Sequence, residues 1–222
     1  MTAALEAQSL YRFFHAGDDE TLALQGVSFE VEPGELVAVT GPSGSGKSTL
    51  LACLAGLDEP DGGMVRVNGE RLSRRSEEQR ARLRARTIGV LFQQVNLVAH
   101  LSVQANVSLA RRLAGDGGAA AQTSADTLAQ VGIASRAHAR PSQLSGGELA
   151  RAGLAVALAN DPEVLLADEP TGELDDATAL RVLALLRERA EAGAAVLVVT
   201  HSPDIARQAD RELRLRDGRL ET

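Results

Sequence analysis

The chain has 222 residues, a formal net charge of −7 at pH 7, 44% hydrophobic and 24% charged residues, a profile expected of one globular domain or a domain with a subdomain. The acidic balance argues against a nucleic-acid partner, whose phosphates attract basic surfaces, and the single cysteine, Cys53, excludes an internal disulfide. Aromatics are only 2% of the sequence, so Leu, Val and Ala must build the core; without a basic-then-apolar leader or an apolar run of bilayer length, a cytosolic setting is expected.

Residues 26–40 read as two strands around a Pro33-Gly34-Glu35 turn, the second of them apolar and β-prone up to Thr40. "GPSGSGKST" follows: Gly41, Pro42, Ser43, Gly44, Ser45, Gly46, Lys47, Ser48 and Thr49. A glycine, four residues and Gly-Lys-Ser between a strand and a helix start form a phosphate-binding loop. Free backbone N–H groups and the helix dipole point at the phosphates. Lys47 supplies a cation for the outer phosphates, and the Ser48 hydroxyl is a Mg²⁺ ligand. The helix continues to Gly56 and places Cys53 as a small buried residue. Residues 61–70 read as a short strand bounded by turns. Residues 71–86 hold seven arginines with Glu77 and Glu78. A solvated helix face is the expectation, and contact with lipid headgroups or a partner the alternative.

Residues 88–92 form another strand, and 114–125, small and polar, a loop between helices. Helix is expected over 147–159 and 176–191, and strand over 164–167 and 195–200. This alternation predicts a mostly parallel sheet covered on both faces. The helix-rich stretch from about 96 to 159 interrupts it and suggests a separate lobe. "VLLADEP" ends an apolar strand in two acids, Asp168 and Glu169, where parallel sheets bind ligands. Asp168 is placed to hold Mg²⁺, and Glu169 to polarise the attacking water. "LSGGE" opens a helix without a lysine; Ser145, Gly146 and Gly147 offer a hydroxyl and amides to a phosphate of another molecule's nucleotide, or else an ordinary cap. His201 ends the strand "VLVVT" on the edge that carries Asp168, within reach of a γ-phosphate. His15, His100 and His138 have no such context, and no His/Cys cluster has metal spacing.

Taken in order, these motifs resemble those of the nucleotide-binding subunit of ATP-binding cassette (ABC) transporters. "GPSGSGKST" is similar to the Walker A loop, Gln93 in "LFQQ" to the Q-loop glutamine, "LSGGE" to the signature motif, "LLADEP" to Walker B, "TGELD" to the D-loop and His201 to the switch histidine. The resemblance implies a P-loop NTPase core with a mostly parallel sheet, an N-terminal antiparallel β part and a helical signature-motif subdomain. About 1–95 and 160–222 would be the catalytic core and about 96–159 the subdomain. It implies ATP and Mg²⁺ as cofactors, Glu169, His201 and Gln93 as catalytic residues, and Ser48, Gln93 and Asp168 at the metal. ATP would also meet Phe14, placed where the family carries its base-stacking ring (Tyr11 is second choice), and Ser145, Gly146, Gly147, Glu148 and Asp175 of a paired subunit. The implied partners are a second ATPase subunit and an integral membrane permease, with the chain peripheral on the cytoplasmic face of the membrane.

Within the family, "GLDEPDGG", "QQVNLVAHLSVQANV" and "RPSQLSGGE" resemble the lipoprotein-releasing and macrolide-exporting ATPases. Ala99, Ala105 and Val156 depart from that pattern near the expected permease interface. A regulatory switch on an envelope or cell-division complex, without transport, shares the same catalytic set. Family members of translation or DNA repair usually carry two cassettes or a long coiled coil, which this sequence lacks.

Overall fold

Two long strands open the chain in the computed structural model, which describes residues 2–16, 19–93, 97–115, 123–172 and 174–221. β1 (Leu5–Ala16) and β2 (Asp19–Val31) pair antiparallel, and β1 pairs on its other side with β4 (Gly62–Val67), which carries the short β5 (Glu70–Arg71). A second sheet has β3 (Leu36–Thr40) flanked by β8 (Ala195–Val199) and β9 (Arg211–Arg216). It continues from β8 to β7 (Val164–Asp168) and β6 (Ile88–Leu91), and ends beyond β9 in β10 (Arg219–Leu220). The β3, β6, β7, β8 and β9 pairings are parallel; only β10 runs antiparallel.

The seven helices among the described residues are α1 (Lys47–Leu54), α2 (Glu77–Thr87), α3 (Val103–Ala114), α4 (Ser124–Gln130), α5 (Gly146–Ala157), α6 (Asp176–Glu191) and α7 (Pro203–Gln208). The expected antiparallel N-terminal part and parallel core are both present. The expected loop at 114–125 lies largely outside the described residues.

Side-chain alternation divides the core into two layers. Val37, Val39, Leu166, Leu197 and Val199 pack with α1 and with Leu5, Leu10, Leu24 and Val65 of the antiparallel sheet. Leu36, Leu165, Ala167, Val196 and Val198 face the other way, onto Val103, Val107, Leu128, Leu154 and Leu186. Strands buried on both faces read as unbroken apolar runs, as these do. The helical stretch therefore shares its core with the sheet rather than holding one of its own. Its signature-bearing helix α5 is pinned directly to β6.

The arginine-rich stretch departs from a wholly solvated face. Ser76 caps α2 through a reciprocal pair with Gln79, and Arg82 pairs with Glu78 in the open. Arg80, however, reaches Glu59 at 2.7 Å with only 12% of its side chain exposed. Arg84 donates to the Gly56 carbonyl at 3.0 Å, just past the C-terminus of α1. Long aliphatic stems let both lie along the protein while their heads find acceptors. Burial pushes the Cys53 thiol up to about 12, so it stays protonated and inert, as a buried filler should.

Gly89 marks a close approach of α5 to the sheet: a Cβ there would lie 2.3 Å from the Ala157 carbonyl oxygen and 2.8 Å from Pro162 Cγ. Gly89→Ala is expected to destabilise the fold by about 1–3 kcal/mol. It should lower the urea midpoint without changing the slope; an unchanged midpoint would show that this seam yields easily.

Candidate active site

The strands β3, β7 and β8 end together at Thr40, Asp168 and Val199, and a cleft of about 710 Å³ opens beyond them. This is the edge at which an open parallel sheet receives a ligand. Its floor is made by Ser43, Gly44 and Gly46 of the glycine-rich loop and by the first turn of α1. Gly46 precedes that helix with φ 102° and offers no side-chain cap, so the leading amides of α1 stay available to an anion.

Lys47 is buried and its Nζ donates to the Gly41 and Pro42 carbonyls, both at 2.9 Å. Desolvation lowers its pKa, while the charges of Glu169 and Asp168 act in the opposite sense. Ser43, Gly44, Gly46, Lys47, Ser48 and Thr49 line the cleft. Gly41, Pro42 and Ser45 do not: the first two hold Lys47, and Ser45 is buried, its carbonyl accepting from the Gly218 N–H at 3.0 Å. They shape the loop from behind.

Asp168 hydrogen-bonds the Ser48 hydroxyl, and its pKa is raised by burial and then by neighbouring Glu169. Two hard oxygen donors beside a phosphate loop, one a carboxyl whose charge is poorly compensated, suit Mg²⁺. Glu169 has φ 44°, an uncommon conformation for a residue with a side chain and one that clusters at functional sites. Its N–H is tied to the Val199 carbonyl at 2.9 Å. Thr200 Oγ1 donates to its Oε2 at 3.2 Å. The other oxygen, Oε1, is buried without a hydrogen-bond partner, with His201 Nε2 3.6 Å away. A buried acceptor left open beside the phosphate loop is what a nucleophilic water requires. Gln93, exposed, and His201 also line the cleft.

Phe14 lines its mouth, 42% exposed. Tyr11, the second candidate, lies instead against Gly26 and Gly62, and is not in the cleft lining. The residues around "LSGGE" are also elsewhere. Ser145 caps α5 by accepting from the Glu148 N–H at 3.3 Å, and Glu148 accepts from the Ser145 N–H at 2.9 Å and from Arg136 at 2.8 Å. Gly146 has open space where a Cβ would stand, and Gly147 abuts Thr178. Asp175 caps α6 and accepts from the Thr178 hydroxyl at 2.7 Å. Within one chain Ser145, Gly146, Gly147, Glu148 and Asp175 are not brought to the cleft.

Thr200, Asp217 and Gly218 are among the residues at the cleft that the sequence motifs do not single out. Thr200 looks like one more strand residue, yet its hydroxyl anchors Glu169 and accepts from the Ser202 N–H at 3.0 Å. Asp217 and Gly218 line the cleft from the β9–β10 turn. Their Asp-Gly dipeptide is a hairpin signal that could have placed them.

Fold and cleft together define a P-loop nucleoside triphosphatase. Residues 24–172 match the model of the family described as "ABC transporter". The chain belongs to that family, as one of its ATP-binding, ATP-hydrolysing cassettes. It is 43% identical over its full length to an uncharacterized ABC transporter ATP-binding protein of Thermotoga maritima, covering 95% of that protein. It is 41% identical over 217 residues to the macrolide export ATP-binding/permease protein MacB of Hyphomonas neptunium, and spans 34% of that chain's length. The dimeric structure of MJ0796, a bacterial ABC transporter cassette, superposes with a TM-score of 0.91 at 33% identity, over 98% of this chain and 97% of that one. A post-hydrolysis state of MJ0796 bound to ADP and Pi matches equally well, with a TM-score of 0.91.

The raised pKa of Asp168 has a consequence for stability. A carboxyl whose folded pKa lies above its unfolded value stabilises the fold while protonated and loses that contribution as pH rises through the folded value. At neutral pH the ionised Asp168 therefore weighs against the nucleotide-free fold. Asp168→Asn is expected to melt at a higher temperature than wild type at pH 7 without nucleotide. The gap should narrow as pH falls through the raised folded-state value, where the wild-type carboxyl takes up its proton. Mg²⁺-ATP should stabilise wild type more than the variant. Thermal melts across pH, with and without Mg²⁺-ATP, check both halves; a neutral-pH melting point at or below wild type would refute the first.

Proposed function

We propose that the chain is the ATP-hydrolysing subunit of an exporter or of an envelope-related transporter for lipoprotein, macrolide or peptide cargo. It would work as a pair of copies beneath an integral membrane permease, on the cytoplasmic face. The observation that carries the catalytic part is the buried, unpartnered Oε1 of Glu169 beside the phosphate loop. The transport part is supported by relatives whose single chain joins an ATP-binding part to a permease. No helix among the described residues is long and apolar enough to cross a membrane.

In this reading the amides at the start of α1 and the Lys47 ammonium hold the triphosphate, with Lys47 leaving its loop carbonyls for the outer phosphates. Thr200 fixes one oxygen of Glu169, so the other accepts a proton from the attacking water. His201 would hydrogen-bond the γ-phosphate, and Gln93 would sense the site from its exposed bend. Ser48, Asp168 and Gln93 would hold Mg²⁺, which neutralises charge on the β and γ oxygens when bound. Catalysis is then positioning and charge stabilisation.

Ser145, Gly146 and Gly147 would complete the γ-phosphate shell from the second copy, carried there by the helical subdomain of about 96 to 159. Glu148 and Asp175 serve there as caps, since a carboxylate against a triphosphate would be repelled. ATP then bridges two copies, and its loss on hydrolysis lets them part.

Lys47→Ala is expected to abolish tight ATP binding while leaving the fold intact, read by equilibrium binding and circular dichroism. Glu169→Gln should bind ATP, lose about 10²–10⁴-fold in hydrolysis rate, and run as a dimer on size exclusion with Mg²⁺-ATP. Wild-type turnover in that variant would remove Glu169 from the mechanism. A bifunctional thiol linker should join Ser43→Cys of one chain to Ser145→Cys of another, both in Cys53→Ala chains, only with ATP; linkage within a single chain would refute the shared site. Co-purification with a permease whose cargo stimulates the ATPase supports transport. Capture of an envelope hydrolase without cargo stimulation would instead favour a switch.

A further inference from the structure

Phe14 has a physical difficulty. It stands near the end of β1 with 42% of its surface exposed, and an exposed phenyl ring has little packing to fix its torsions. A ring free to turn stacks poorly on anything, because ordering it on binding costs entropy. Resting on the reading of Phe14 as the base-stacking ring, we propose that Arg12 is a positioning residue for the nucleotide base: it braces one face of Phe14 and leaves the other open to the cleft.

The guanidinium carbon of Arg12 lies 4.7 Å from the centroid of the Phe14 ring, within cation–π range. The two side chains stand two residues apart on β1, and the contact itself shows that they share one side of it. Arg12 is itself immobilised. Its Nε donates to Asp58 Oδ2 at 2.8 Å and its Nη2 to Asp58 Oδ1 at 2.9 Å, a two-pronged pair. Its Nη1 donates to Asp61 Oδ2 at 3.0 Å and to the Phe13 carbonyl at 3.3 Å. Asp61 also accepts from the Phe13 N–H at 2.7 Å and donates its own N–H to the Tyr11 carbonyl at 2.9 Å. The strand segment from Tyr11 to Phe14 is thus held, backbone and side chain, by two acids of one loop.

That loop begins where α1 ends: the Asp58 N–H donates to the Ala52 carbonyl inside the helix at 3.1 Å. The N-terminus of the same helix carries Lys47 and Ser48. One short helix of eight residues, about 12 Å long at 1.5 Å per residue, sets the spacing between phosphate cradle and base platform. Arg12 is the link that transmits it. The stack is cation, phenyl ring, purine; each layer fixes the next, and none reads base identity by hydrogen bond.

A double-mutant cycle in the full chain tests this, with ATP and inorganic triphosphate as the two probes. Arg12→Met should weaken ATP binding about three- to tenfold and leave triphosphate affinity unchanged, the loss appearing in KM rather than kcat. In a Phe14→Ala chain the same substitution should change ATP affinity less than about twofold, since nothing is left to brace. Arg12→Lys keeps the charge but not the two-pronged pair and should fall between, which keeps the test usable if Arg12→Met melts too low. Equal losses with and without Phe14, or a parallel loss of triphosphate affinity, would overturn the proposal and make Arg12 a scaffold residue only. Phe14→Ala with wild-type ATP affinity would refute base stacking by Phe14 itself, a separate and distinguishable failure.

Discussion

The site depends on a loop that is wedged from two sides. A Cβ on Gly41 would stand 2.0 Å from the Leu215 carbonyl oxygen, and one on Gly46 would stand 2.3 Å from that of Ala23. No side chain fits either gap, so the backbone of β9 and of β2 can press directly on the loop. Both glycines also hold positive φ, which they adopt at little cost. The parallel sheet supplies one wall and the antiparallel sheet the other. The anion site is therefore the place where the two sheets meet, which explains why a chain of this size needs both.

The same wedge links the loop to its surroundings. Gly218 sits in the β9–β10 turn with its N–H on the Ser45 carbonyl and its own carbonyl accepting from the Gln25 N–H at 2.8 Å. Lys47, held inward by Gly41 and Pro42, is desolvated between sheet and loop. A triphosphate entering here would meet a partly desolvated cation, and such a charge attracts an anion more strongly than one on the surface. Asp168 and Glu169 crowd the opposite side with like charge. The nucleotide-free cleft thus stores unfavourable electrostatics that a cation and a triphosphate together would relieve.

The parts legible in the sequence share a physical reason. β3, β7 and β8 are buried on both faces, so each is an unbroken apolar run, and the motif residues follow directly at their ends. β1 was not legible because its pairing slips: register shifts occur at Ala7/Leu10, Leu10/Tyr11 and Arg12/Phe13, and Ser9 has φ 46°. The first slip adds a residue to β1 and the other two add one to β2, so the two-residue alternation by which paired strands are recognised is broken on both. β9 reads as charge, Arg-Glu-Leu-Arg-Leu-Arg, because most of its side chains face solvent beside the sheet's last short strand. Arg80 and Arg84 looked like surface residues since composition does not say which head finds a buried acceptor. Thr200 was hidden for a related reason: its methyl completes an apolar run, and only the fold shows its hydroxyl on Glu169.

What a single chain leaves incomplete is also informative. The start of α5 carries Ser145, Gly146 and Gly147 in a cap, with open space at Gly146, yet it stands apart from its own cleft. α5 is fixed to β6 through Gly89, and α6 to the same layer of the core, so swinging the cap inward would tear a continuous hydrophobic cluster. A second copy can bring the same cap to this cleft without disturbing either core. In the proposed pair, the internal packing that keeps α5 in place would make the γ-phosphate shell an intermolecular one, with ATP, rather than any permanent protein contact, as the material of the joint. Such a joint is as strong as its ligand and no stronger. Hydrolysis would weaken it without requiring a change inside either domain, and a membrane partner attached to both copies would experience that loss as motion.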